Sequence, residues 1–212
     1  MNSQQYFDRI AHRWNQIRQD YFKDDIRPML FEKVDFENRV VADLGSGTGF
    51  LALDIARKAN VVFALDHSRN MLNHIVRKAK SLNLSNVFAI ESDLESSLLI
   101  HEQIEIVTMN MALHHIENPP EMIKEIYRML LPGGTIVISD VMQHDGVWAK
   151  EEMHDKWLGF TLSDVEKWIL KAGFIESSVT DTGLIAVSSN AKGETIAPHI
   201  FLAIAKKGNQ QI

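Results

Sequence analysis

The sequence predicts an α/β doubly wound domain, a mainly parallel sheet covered by helices on both faces. Three observations predict it. Short apolar runs alternate with amphipathic helical segments along most of the chain. The first of those runs ends in a glycine-rich turn that opens a helix. The chain has 212 residues, 45% apolar and 24% charged, which is enough for one large core and too apolar for a disordered chain.

Each element has its own reason. Phe7, Ile10, Ala11, Trp14, Ile17 and Tyr21 recur at steps of three and four, so residues 4–22 read as one amphipathic leading helix. Pro28 then interrupts. Val40-Val41-Ala42-Asp43-Leu44 reads as a buried strand running straight into Gly45-Ser46-Gly47-Thr48-Gly49, with a helix over residues 50–59 after it. Further apolar strands are predicted at 61–65, 87–90, 104–109 and 135–139. Helices are predicted at 69–83 and at 121–131, the second stopped by Pro132-Gly133-Gly134. Residues 143–160, rich in His, Trp, Met and charge, break the alternation and read as an insertion over the sheet. Ser163 and Glu166 read as the capping box of a helix that Gly173 ends. Residues 184–188 and 199–205 read as strands of a terminal hairpin, joined through residues 190–194. With no repeat or linker, residues 1–212 are expected to form one domain.

Composition excludes several functions. Lys and Arg total 22 against 28 Asp and Glu, a net charge of -6 and a pI near 5.8, which argues against nucleic acid as a partner. There is no Cys, so disulfides, thiolate zinc sites and cysteine nucleophiles are all out of reach. No apolar run approaches the roughly 18 residues of a membrane span, and the first residues lack the pattern of a secretion signal, so a cytoplasmic protein is expected.

A glycine turn at the end of a strand lets the backbone approach a nucleotide-like ligand, because glycine has no Cβ to block it. Asp66, ending the next strand about twenty residues on, is placed for a carboxylate to accept hydrogen bonds from both hydroxyls of a ribose. A dinucleotide fingerprint would need Gly where this chain has Phe50.

Asp43-Leu44-Gly45-Ser46-Gly47-Thr48-Gly49 instead resembles the first motif of the class I S-adenosylmethionine-dependent methyltransferases. Asp66-His67-Ser68 with Met71-Leu72 resembles the family's second motif, and Ser92-Asp93-Leu94 its adenine-binding step. The stretch from Asn110 to His114-His115, with Leu131-Pro132-Gly133-Gly134-Thr135, is similar to the small-molecule branch that includes quinone-ring C-methyltransferases. The resemblance covers most of the chain. It implies a Rossmann-like seven-stranded sheet with an antiparallel C-terminal strand, residues 1–30 as a helical lid and 143–160 as a cap over the acceptor. It also implies S-adenosyl-L-methionine as cofactor, with S-adenosyl-L-homocysteine as product.

By this resemblance Gly45, Ser46 and Gly47 would pass close to the methionine moiety, and Asp43 beneath them would help hold its amino group. Asp66 would take the ribose hydroxyls, His67 and Met71 would pack on the adenine, and Asp93 with the main chain at Leu94 would read its edge. Ser92 belongs to the same step, Asn110 would line the pocket near the sulfonium, and Arg18 would meet the methionine carboxylate.

An activated methyl group needs alignment and the exclusion of water more than it needs a metal, and none is expected. Where the acceptor must lose a proton, His115 is the candidate base and His114 the weaker one, and either could instead order its loop. Asp140 lies at the same sheet edge, and His144 and His154 lie in the cap. Trp148, Met153, Trp157 and Phe160 offer apolar surface for a flat acceptor. Arsenite and cytosine-C5 methylation need the missing cysteines, and Asn118-Pro119-Pro120 reads as a helix start in place of an adenine-methylating motif. A small-molecule acceptor is therefore expected. A non-catalytic S-adenosylmethionine-binding sensor and a nicotinamide-dependent oxidoreductase remain as alternatives, and the oligomeric state is open.

Overall fold

The computed structural model describes residues 3–21, 26–96 and 102–209. Three short helices lead: α1 (Ser3–Ile10), α2 (Trp14–Tyr21) and α3 (Ile26–Lys33). After them β1 (Val40–Leu44), α4 (Ala52–Ile55), β2 (Val61–Asp66), α5 (Arg69–Ser81), β3 (Val87–Glu91) and β4 (Ile104–Asn110) alternate. A single 3-10 turn, Leu113–His115, precedes α6 (Pro119–Met129) and β5 (Leu130–Val141). The last third holds α7 (Trp148–Glu152), α8 (Leu162–Ala172), β6 (Phe174–Ile185), the two-residue strands β7 (Ser188–Ser189) and β8 (Thr195–Ile196), and β9 (His199–Lys207).

Seven of these strands form one sheet in the order β3-β2-β1-β4-β5-β9-β6. The first five are mutually parallel, and β9 runs antiparallel between β5 and β6. Alternation along β5 divides the apolar residues between two cores. Val137 joins the core under α3, α4 and α5 with Leu30, Ile55 and Ile75, while Ile136 and Ile138 join the core under α6 and α8 with Ile123, Val165 and Phe201. The strand order reverses between β1 and β4, and this opens a crevice at their carboxyl ends.

The doubly wound sheet and its antiparallel strand match expectation, while five local readings change. The leading helix is two helices, broken by a turn in which Arg13 N–H donates to the Ile10 carbonyl at 2.8 Å. A continuous helix would separate Phe7 and Trp14 by about 10 Å along its axis. The turn brings their rings to 5.6 Å, edge to face, over the crevice. Pro28 sits in the first turn of α3, where its missing N–H costs nothing, so it does not interrupt. The helix expected over residues 50–59 is regular only over four residues. The cap of α8 is Thr161, whose hydroxyl accepts from Asp164 N–H at 3.1 Å, and not the Ser163–Glu166 pair. Gly173 does end that helix, at φ +104°. Finally, the terminal hairpin is much longer than read: β6 begins at Phe174 and pairs with β9, and residues 188–189 belong to the separate β7–β8 pair.

Candidate active site

A cavity of about 570 Å³ lies above the carboxyl ends of the parallel strands, roofed by α1 and α2. Its floor is the loop after β1. Gly45 takes φ +67°, and its N–H donates to the Leu65 carbonyl at 2.9 Å. A Cβ there would stand 2.5 Å from the Cβ of Ala112, so only glycine fits. Ser46 repeats the bond to Leu65, and the Thr48 hydroxyl ties the loop to Asn15 of α2 at 2.7 Å.

One end of the cavity is polar and strand-borne. Asp66 ends β2 and accepts from Gly47 N–H and Ser68 N–H, each at 2.8 Å. Two bonds leave acceptor capacity on a carboxylate with about four lone-pair sites. Burial raises its pKa, opposed by the Ser68 and Gly47 N–H groups and the neighbouring His67. His67 and the buried Met71 continue this wall, followed by Ser92, the exposed Asp93 and Leu94 after β3. The roof is pinned here, because Asp8 of α1 accepts from the Ser68 hydroxyl at 2.6 Å and from Asn70 N–H at 3.1 Å.

The other end is framed by the 3-10 turn and the segment after α7. His115 lines the cavity, with the ring of Phe7 packed edge to face on it at 5.2 Å. Its Nδ1 lies 3.3 Å from the carbonyl oxygen of His154, which only accepts, so Nδ1 carries the hydrogen and Nε2 the lone pair. Burial, and then the charge of His114, push the His115 pKa well below the usual range, and the ring is neutral at pH 7.

His114 points the other way. It is absent from the cavity wall, and its Nδ1 bonds the Asp140 carboxylate at 2.6 Å. Burial lowers its pKa, but Asp140 and then Asp155 outweigh burial and lift it to about 9. A clamped imidazolium cannot act as a base, so the weaker candidate falls away. The Asp155 pKa is pushed up to about 6 by burial, against the charge of His114.

The expected cofactor residues Gly45, Ser46, Gly47, Asp66, His67 and Met71 all line this one cavity, as do Ser92, Asp93, Leu94, Asn110 and Arg18. Asp43 does not. It lies under the loop, where Oδ1 accepts the Thr108 hydroxyl at 2.6 Å, and burial raises its pKa to about 7 against that bond and one from Ala52 N–H. The structure gives it a part in holding the loop and no direct reach to a ligand. The buried Arg18 stacks its guanidinium 4.0 Å from the Phe50 ring centre, so the position that breaks the dinucleotide pattern holds a wall of the cavity.

The aromatic cap residues are used elsewhere. Trp157, Phe160, Trp168 and Phe201 pack together at 5.6–6.4 Å, and Trp157 Nε1–H donates to the Ile116 carbonyl at 2.9 Å. Neither they nor Trp148 and Met153 line the cavity, to which residues 143–160 contribute Lys156. The expected acceptor surface is thus an anchor. His144 accepts Gly146 N–H at Nδ1 and stays off the wall, and Asp140 is buried against His114. Sequence reading missed Asp8 and Asp155, and nothing in their spacing marks them.

Residues 35–173, well over half of the chain, match the family model described as "Methyltransferase domain". The chain belongs to this family. It is a class I S-adenosylmethionine-dependent methyltransferase, and S-adenosylmethionine is its cofactor. The "Ubiquinone biosynthesis O-methyltransferase" of Pseudomonas fluorescens (strain SBW25) is 29% identical over 145 residues, 64% of this chain and 60% of that protein. The methyltransferase thus spans about 60% of the length of such curated relatives. The S-adenosylmethionine-dependent methyltransferase of Mesorhizobium loti shares the fold, with a TM-score of 0.70 at 17% identity over 85% of this chain and 96% of that one. So does the Haemonchus contortus phosphoethanolamine N-methyltransferase 2, crystallised with phosphomonomethylethanolamine and S-adenosylhomocysteine. Its TM-score is 0.75 at 16% identity, over 95% of this chain and 58% of that one. Among the described residues no helix is long and apolar enough to cross a membrane.

Proposed function

We propose that this methyltransferase acts on a small molecule that enters beside His115 while S-adenosylmethionine occupies the strand-borne end of the cavity. The observation that carries the reading is the roof. Phe7 packs on both His67, at 5.7 Å, and His115, so α1 narrows the acceptor end to a pocket of small-molecule size. The net charge of -6 also disfavours nucleic acid. The volume falls within the roughly 300–1,000 Å³ of small-molecule sites.

S-adenosylmethionine supplies a methyl group already activated by its sulfonium, so the protein has no need of a nucleophile. The residues present fit that ligand: Asp66 keeps acceptor capacity for a diol, and the Gly45 loop is held open where any Cβ would close it. Asn110, whose side-chain oxygen accepts the Ser139 hydroxyl at 2.7 Å, is fixed on the far wall between the two ends. For a hydroxylated acceptor, a bond forms between its oxygen and the methyl carbon as the carbon–sulfur bond breaks. The hydroxyl proton goes to Nε2 of His115. Asp140 and His114 position the His115 turn, because Asp140 also accepts His114 N–H at 3.2 Å. The name of the Pseudomonas relative makes oxygen acceptors the first to screen. In this reading residues 1–212 form one domain, residues 1–30 act as its lid and residues 143–160 brace the acceptor end, in a cytoplasmic protein.

Calorimetric titration with S-adenosylmethionine and S-adenosylhomocysteine, with NADH and Asp66→Ala as controls, tests the cofactor half. Binding of both sulfur nucleosides that the substitution removes is expected; NADH binding instead would overturn the reading. Turnover on a panel of phenols, catechols and amines tests the rest, and methylation of protein or RNA with no small-molecule turnover refutes it.

A further inference from the structure

The corner where His114, His115 and Asp155 meet holds more donors than methyl transfer requires. One donor atom from each of the three lies within 4.8 Å of the others, and Asp155 Oδ1 is 3.7 Å from both His114 Nε2 and His115 Nδ1. These distances are too long for hydrogen bonds. A divalent ion about 2.0–2.2 Å from each donor spaces its ligands by about 3–3.5 Å, so closure onto an ion needs shifts of at most about 1 Å. His115 comes from the same 3-10 turn as His114, whereas Asp155 is delivered by the segment after α7.

Two further observations point to a ligand. The Asp155 side chain is 1% exposed, and its Oδ1 has no hydrogen-bond partner among the described residues. A buried carboxylate oxygen without a donor is costly, and the His114 imidazole at 3.7 Å stands too far off to donate to it. Second, His114 already bonds Asp140 through its other nitrogen at 2.6 Å. That is the outer carboxylate which metal-bound histidines carry, orienting the ring and raising its basicity. The charges also close: once the ion has displaced the Nε2 proton of His114 to solvent and the His115 hydrogen has moved from Nδ1 to Nε2, the two buried carboxylates Asp140 and Asp155 match one divalent cation with both imidazoles neutral.

We propose that His114, His115 and Asp155 bind a divalent transition-metal ion of the borderline class, such as zinc or cobalt(II). Two nitrogens and one carboxylate disfavour magnesium and calcium, which take oxygen ligands. Three protein ligands leave a coordination position open for water. The ion site does not rest on the proposed function. His115 cannot be ligand and base together: with Nδ1 on the ion its hydrogen sits on Nε2, so ion binding silences the base.

The test uses the whole chain, free of any affinity tag and stripped with a chelator. Titration with cobalt(II) is followed by d–d absorption, and titration with zinc by calorimetry. One ion per chain is expected, with a tetrahedral-type cobalt spectrum and no comparable binding of magnesium. Asp155→Asn, close to the same size and shape, should abolish binding, and Asp140→Asn should weaken it by about 10–100-fold. His199→Gln, which breaks the exposed His199–Asp181 pair at 2.7 Å, should leave it unchanged. Absence of saturable binding by the unaltered chain, or unchanged binding in Asp155→Asn, overturns the proposal. S-adenosylhomocysteine affinity, measured on the same samples, separates the outcomes: nucleoside binding without ion binding sinks the ion site alone, and loss of both in a variant marks misfolding, in which case the unaltered chain decides.

Discussion

Replacing Gly45 by Ala is the most direct probe of the cavity floor, because the structure gives both costs separately. The backbone there sits at φ +67°, which costs a residue with a Cβ about 1–2 kcal/mol. The new Cβ meets that of Ala112 at 2.5 Å, where carbon atoms in contact prefer about 3.5–4.0 Å, so the two segments must part by about 1 Å. Overpacking of this kind costs about 1–3 kcal/mol. Together the substitution should destabilise the fold by about 2–5 kcal/mol, read as a lower urea midpoint, and should weaken S-adenosylhomocysteine binding because the loop that moves is the floor. Ala112→Gly removes the atom in the way but leaves φ untouched. The double variant should therefore recover only the packing part, a coupling of about 1–3 kcal/mol in a double-mutant cycle. A Gly45→Ala protein within about 0.5 kcal/mol of the parent, or a cycle whose coupling is zero within about 0.5 kcal/mol, would refute the reasoning.

Three further outcomes are expected. His115→Gln should lower kcat by about 100- to 10,000-fold while S-adenosylhomocysteine affinity changes little in calorimetry, since that ring lies at the acceptor end. Asp8→Ala removes the carboxylate that holds α1 to Ser68 and Asn70; stopped-flow release of S-adenosylhomocysteine should quicken several-fold with the melting temperature nearly unchanged. Asp43 holds its proton to about 7 in the folded chain against 3.8 for an ordinary aspartate, so the folded state binds more protons between those limits and stability falls as pH rises through them. The shift corresponds to a few kcal/mol, on the order of 1.4 per pH unit, and Asp43→Asn should flatten urea-derived stability over that window by a large part of it. Asp66, also raised, keeps a residual slope of the same sign.

Much of this architecture was legible because its signals are local. The strand-turn-helix at Gly45 and the carboxylate at the end of β2 are set by spacing along the chain, and the parallel sheet brings them together without further information. The long strand β6 escaped because it is an edge strand. From Ile175 to Ile185 none of its side chains is fully buried, so no apolar alternation is left to read. The split of the leading helix escaped because both halves keep the three-four spacing, and only the tertiary contact of Phe7 with Trp14 reveals the turn. Asp155 was invisible for a different reason. It reaches the histidines from about forty residues further along the chain, through a segment with no period of its own, so its role exists only in the folded state.

The position of the aromatic residues also decides where acceptor selectivity is encoded. Trp157 and Phe160 are bound up with Trp168 and Phe201, and the backbone of Lys156 and Trp157 donates to the His114 carbonyl at 2.9 and 3.0 Å. The cap therefore fixes the histidine turn from behind and leaves the front of the chamber to α1. Phe7 of α1 packs its ring on both His67 and His115, and Gln4 beside it bonds the His67 carbonyl at 2.8 Å. Substituting Phe7 by Leu, which shortens the roof without adding charge, should change the ranking of acceptors in kcat/KM while leaving S-adenosylhomocysteine affinity within a few-fold. Trp157→Phe, by contrast, should lower stability through the lost bond to Ile116, by about 1 kcal/mol, and leave the ranking alone. If the tryptophan reorders the acceptors and the phenylalanine does not, the selectivity lies in the cap, and the division of labour argued from these contacts is wrong.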